Sequence, residues 1–193
     1  MQESKPARRL LHTRQVECIG YEREDGLFEI EGRLLDTKGQ DTDFPYGTIV
    51  AGGTLHRMRL LMVLDRQLVI RSVEAFTEQA PTPVCGQITS AYQALAGVRI
   101  GPGFRKKVAE RVGGVSGCTH LTDLLGPMAT TAIQTLAPLV QKRLRERAAH
   151  DPAFEMPHHW VIGTCHAYRP DGDAARRVSE WRPYGDARRA KRR

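Results

Sequence analysis

Around Pro81 and Pro83 the sequence changes period, and that change limits the folds open to it. Before this point apolar residues come in short runs with partial alternation, which suits strands. Residues 16–21 form one run and residues 27–35 (LFEIEGRLL) the next; the turn signal Asp25, Gly26 between them predicts a hairpin. A loop follows with Gly39, Asp41, Asp43, Pro45 and Gly47. Residues 54–64 (TLHRMRLLMVL) and 68–76 (LVIRSVEAF) then make a second hairpin across the polar link 65–67. Val63, Val69, Ile70 and Val73 favour the extended state.

After the prolines the spacing becomes helical. Residues 86–96 place Ile88, Tyr92 and Leu95 on one helical face, with Gly97 as the closing residue. Residues 104–112 predict a basic helix stopped by Gly113 and Gly114. Residues 119–149 predict a longer amphipathic helix, interrupted near Gly126 and Pro127 and again at Pro138. Strands first and helices afterwards predict an α+β fold, with an antiparallel sheet and helices packed on one face. Residues 1–15 read as a basic arm, 16–150 as a single α+β domain and 151–193 as a Pro/Arg-rich extension.

The formal net charge of +7 in 193 residues suggests a polyanion partner at first. Its distribution argues otherwise. Residues 1–15 carry Lys5, Arg8, Arg9 and Arg14 against Glu3, residues 171–193 carry eight basic and four acidic side chains, and residues 16–170 are neutral. The run 188–193 (RRAKRR) reads as a solvated end. Base readout needs an ordered element in a groove, so nucleic acid is not an expected partner; a protein partner or self-association is. No apolar run approaches the roughly 18 residues of a membrane span, and the polar N-terminus does not resemble a signal peptide. The expected location is the cytoplasm.

Four cysteines are present and none forms a CxxC pair, so free thiols or ligands are expected rather than disulfides. Cys85 precedes Gly86 and a helix; Cys118 follows GGVSG and opens the long helix. At a helix start the free N–H groups and the dipole stabilise a thiolate, the form that binds soft metals. Taken singly, each is a small residue at a tight turn. His120 lies two residues beyond Cys118, and His56 opens a strand. Zinc or an iron–sulfur cluster needs three or four such ligands. The expected metal set is His56, Cys85, Cys118 and His120. His158, His159, Cys165 and His166 form a second His/Cys grouping in an irregular stretch, and Tyr168, Trp181 and Tyr184 lie among arginines. There is no phosphate loop: residues 97–103 (GVRIGPG) lack the lysine and the following hydroxyl.

Residues 113–131 (GGVSGCTHLTDLLGPMATT), with DGLFEIEG and DTK nearer the N-terminus, resemble the bacterial family known as domain of unknown function 2889. The likeness covers most of residues 10–145, and the family label implies no activity. More distantly, residues 51–133 resemble iron–sulfur-cluster scaffold proteins of the NifU/IscU type. The shared layout is a strand pair, a cysteine at a helix start matching Cys85, and a last cysteine matching Cys118. The scaffold's first cysteine turn is Ala51-Gly52-Gly53-Thr54 here, without thiol or acid, and Gly117 stands where a histidine precedes the last cysteine. The resemblance thus implies a NifU/IscU-like core and a metal-capable site.

The expected function is metal or sulfur handling through zinc, iron or an iron–sulfur cluster. The alternatives are a Cys118 nucleophile activated by His120, and an interaction protein binding acidic partners through its basic ends.

Overall fold

The computed structural model describes residues 6–151 and 153–180. The run 188–193, Trp181 and Tyr184 lie outside the described residues. The chain divides into two compact units, one ending at Leu139 and one starting at Val140, with the division inside a helix.

The first unit is built on a four-stranded antiparallel sheet in the order β1-β2-β5-β6. Its strands are β1 (His12–Glu22), β2 (Phe28–Lys38), β5 (Thr54–Leu64) and β6 (Ile70–Gln79), and a small hairpin of β3 (Thr42–Phe44) and β4 (Gly47–Ile49) stands between β2 and β5. The expected α+β class and antiparallel sheet are therefore present. The first hairpin turns at Asp25, whose carboxylate accepts the Leu27 N–H at 3.2 Å, and at Gly26, which adopts φ 79°.

One sheet face is apolar. Phe28, Ile30 and Leu34 of β2 face the same side as Met58, Leu60, Met62 and Leu64 of β5, in register Phe28↔Leu64, Ile30↔Met62 and Leu34↔Met58. The helical half covers this face: Tyr92, Leu95, Phe104, Val108, Leu121, Leu124 and Met128 belong to the same core cluster. The opposite face carries charged pairs, Arg33 with Glu17 and Glu31, and Arg59 with Glu78, and Arg59 also lies over the Phe76 ring at 4.1 Å.

The helices differ from expectation in two ways. Residues Cys85–Leu95 wind as a 3-10 helix, not an α-helix. The Thr89 hydroxyl donates to the Gly86 carbonyl at 3.0 Å, a local bond that competes with α-helical pairing. Three residues per turn align Tyr92 with Leu95, and both are fully buried; Ile88 is only half-buried. Next comes α1 (Phe104–Val112), as expected, and a single 3-10 turn over Gly114–Ser116.

The long helix α2 (Thr119–His150) is continuous through both Pro127 and Pro138. A proline inside a helix costs about 3 kcal/mol, whereas a fully buried Leu or Met gains about 1.5–3 kcal/mol. Leu121, Leu124, Leu125, Met128 and Leu136 are all buried along one side of α2, which outweighs the two interruptions. The helix lies close on the sheet because the floor is bare beneath it. A Cβ on Gly32 would come 2.5 Å from Met128 Sδ, and one on Gly20 would meet the Thr135 side chain.

Past Leu139, the second unit comprises the end of α2, a run of turns and α3 (Asp173–Glu180). Arg147 covers the Phe154 ring at 4.5 Å, and Ala175 is buried. No helix among the described residues is long and apolar enough to cross a membrane.

The turn into α2 is the least forgiving point of the fold. A Cβ on Gly117 would lie 2.0 Å from the Val112 carbonyl oxygen and 3.3 Å from the Tyr92 hydroxyl. The first of these is backbone and cannot rotate away. Gly117→Ala is expected to cost about 2 kcal/mol or more, read as a lowered urea midpoint, whereas Gly86→Ala, with open space around it, should change it by less than about 0.5 kcal/mol.

Candidate functional site

At one end of the apolar sheet face the stripe turns polar. Asp36 follows Phe28, Ile30, Gly32 and Leu34 on β2 with the same two-residue period, and His56 precedes Met58 on β5. The register pairs Arg14 with Asp36 and Asp36 with His56. Three neighbouring strands thus place a guanidinium, a carboxylate and an imidazole in one row across the sheet. The β2–β5 pairing shifts between Asp36 and Thr37, at the edge of this row.

Asp36 is completely buried and His56 is 6% exposed. Arg14 grips the carboxylate with two bonds, Nε to Oδ1 and Nη2 to Oδ2, each 2.8 Å. The His56 Nδ1 to Asp36 Oδ2 distance is 2.9 Å, and His12 Nε2 stands 3.5 Å from Oδ1. Burial alone would raise the Asp36 pKa, yet the bonds from Arg14 and His56 hold it down to about 2. The carboxylate is therefore ionised and can only accept. His56 Nδ1 must carry the proton that joins them. Burial also lowers the His56 pKa, against the pull of Asp36 and with help from Arg14 and His12. The ring is neutral at pH 7, protonated at Nδ1 and bearing a free lone pair on Nε2.

The helical half contributes His120, in the first turn of α2. Its ring centroid lies 3.7 Å from that of His56, with the planes tilted by 33°. Burial lowers its pKa, and His56 and Arg14 lower it further. His120 makes no side-chain hydrogen bond among the described residues.

Tyr92 sets the position of this first turn. Its hydroxyl accepts the Cys118 N–H at 3.0 Å and lies 2.8 Å from both the Cys118 carbonyl and the Thr122 hydroxyl. Burial raises the phenol pKa, so the group stays protonated. Asp123, one turn beyond Thr119, reaches Arg14 Nη1 at 3.3 Å.

Among the described residues, the His, Cys, Asp and Glu side chains that converge on one point are Asp36, His56 and His120, with ligand atoms within 4.8 Å of one another. Of the four expected ligands, the structure brings His56 and His120 together and leaves Cys85 and Cys118 outside the group. The Cys85 sulfur lies 2.9 Å from the Thr82 hydroxyl in its own turn. Cys118 is half-buried against the core, its backbone held by Tyr92. The second His/Cys grouping does not converge either: His159 Nδ1 accepts the Val161 N–H at 3.3 Å, and Cys165 is exposed.

Asp36 and Arg14 escaped sequence reasoning because neither has a telling neighbour in the chain. The available signal was periodicity. An acid and a histidine each continue an inward-facing apolar stripe, on two strands expected to lie in one sheet.

These features define an antiparallel α+β protein with an arginine–aspartate–histidine row, its acid and imidazole buried, meeting a second histidine at a helix start. The chain belongs to the family described as Protein of unknown function (DUF2889), whose model matches residues 12–134, a span that includes Arg14, Asp36, His56, His120 and Asp123. No curated protein matches the chain, and no solved structure does. The NifU/IscU layout accordingly rests on the sequence pattern alone.

The electrostatics give a definite pH response. The Asp36 pKa of about 2 in the fold lies below the ~3.9 of an unfolded aspartate. Asp36 therefore contributes about 2 kcal/mol of stability above pH ~4, lost as the pH falls towards 2. His56 and His120, lowered in the fold, stabilise it above pH ~6.5 and cease to as the unfolded chain protonates below that. A urea-midpoint series should show stability falling in both windows. Asp36→Asn should start less stable at pH 7 and show a smaller lower step, since Asp25, Asp65 and Asp173 are also lowered in the fold.

Proposed function

We propose that the protein binds a single transition-metal ion, zinc or ferrous iron, through His56 and His120, with Asp36 as the carboxylate behind His56. The observation that carries this reading is the His120 ring, without a hydrogen bond of its own, resting against a histidine already oriented by a carboxylate. A carboxylate on one ring nitrogen fixes the tautomer and makes the other nitrogen a better ligand. Both rings are neutral at pH 7, which is the ligand form.

The local charge agrees. Arg14 is opposed by Asp36 and Asp123, so the row and its partner carry one net negative charge. The guanidinium is held on the carboxylate side and leaves the imidazole lone pairs open. Imidazole ligands suit zinc and iron. Two protein nitrogens leave several coordination positions to water or an incoming ligand, as in labile and catalytic sites rather than closed structural ones. This arrangement supports metal handling. The placement of Cys85 and Cys118 favours a mononuclear ion over an iron–sulfur cluster, so cluster assembly on the scaffold pattern is not part of the proposal.

Titration of chelator-stripped, dialysed protein with cobalt(II) or zinc(II) tests this. One equivalent should bind; His120→Ala should weaken binding at least about tenfold, and Asp36→Asn by about 10–100-fold. Unchanged affinity in His120→Ala would refute the site. A cobalt–thiolate charge-transfer band that disappears in Cys118→Ser would replace it with a thiolate centre.

A further inference from the structure

We propose a second, anion-binding site, sharing no residue with the histidine group, that takes the phosphate group of a small molecule. It is a concavity of about 390 Å³ between the β5–β6 turn and the loop leading into α1, with Arg66, Arg99 and Lys107 in its lining. That volume is within the range of small-ligand pockets. No acidic side chain lines it. Leu68, Ile100 and Pro102 give it an apolar wall.

The frame that holds these cations is braced. Asp65 is 8% exposed, and its carboxylate accepts the N–H groups of Gln67 and Val69 at 2.8 and 2.9 Å and a bond from Arg71. The Asp65 carboxylate is thus spent inside its own turn. Leu68, a non-glycine residue at φ 61°, accepts the Ile100 N–H at 2.9 Å. Ile70 exchanges backbone bonds with Gly97 and Val98, and the Arg99 Nε donates to the Gln67 carbonyl at 2.9 Å. Two loops far apart in sequence are therefore strapped together before any ligand arrives.

Three like charges on one braced frame repel each other. Arg66 and Lys107 make no ion pair among the described residues, and no acidic side chain in the lining compensates them. An anion does so, and charge-assisted bonds from guanidinium and ammonium groups to phosphate oxygens are the strong kind. The lining contains no aromatic side chain on which a base could stack. That favours a phosphorylated small molecule with an aliphatic body over a nucleotide or a nucleic acid strand.

The test uses the full chain carrying His120→Ala, so that the probe cannot be held through an ion at the proposed metal site. Inorganic pyrophosphate is titrated calorimetrically at low salt. The expected result is saturable one-site binding, weakened about tenfold by Lys107→Ala and by Arg66→Ala, and unchanged by Arg33→Ala on the charged face of the sheet. Arg66→Ala removes no brace from the frame, so its effect reports on the ligand and not on folding. Absence of saturation overturns the proposal, as does affinity indifferent to both substitutions. A single-stranded oligonucleotide that binds more than tenfold tighter than pyrophosphate overturns it in favour of a nucleic acid surface.

Discussion

A fully buried carboxylate is tolerable only if its charge is answered within hydrogen-bonding distance, and the described site is organised around that requirement at Asp36. Arg14 answers it from one side with two bonds and His56 from the other with one. These residues come from three strands, so the site exists only when β1, β2 and β5 are in register. A slip of one residue in β2 would turn Asp36 to the other face and bring Leu35 or Thr37 into the row. The apolar stripe and the polar row fix each other: burying Phe28, Ile30 and Leu34 inward obliges Asp36 to point inward as well.

Much of the scaffold was legible from period alone. The two hairpins, α1 and the strands-then-helices order follow from alternation, turn residues and the change at Pro81. What escaped was set by tertiary packing. Pro127 and Pro138 announce breaks, but the buried side of α2 overrides them. Residues 85–95 carry a helical spacing, but the need to bury Tyr92 with Leu95 is met by the narrower 3-10 winding.

The candidate site was half legible. His56 and His120 stood out as side chains with metal chemistry in a thiol-rich context, and they do meet. The cysteines drew attention through a shared local grammar, glycine, thiol, helix. That grammar describes how the chain turns, not where the sulfur points. Tyr92 uses the backbone at Cys118 as an anchor. Charge arithmetic misled in a similar way. Residues 16–170 are neutral in sum, yet Arg66, Arg99 and Lys107 gather in one concavity while acids such as Glu17, Glu31 and Glu78 lie on the sheet's charged face. A sum along the chain erases that segregation.

The crowded turn before α2 also bears on how such a centre can be altered by descent or by design. Because the Val112 carbonyl fills the space where a side chain at 117 would begin, no imidazole can be installed ahead of the thiol without rebuilding the corner. An imidazole supplied from this part of the chain has to come from the helix itself. His120, in the first turn of α2, meets that requirement without a side chain at the bend.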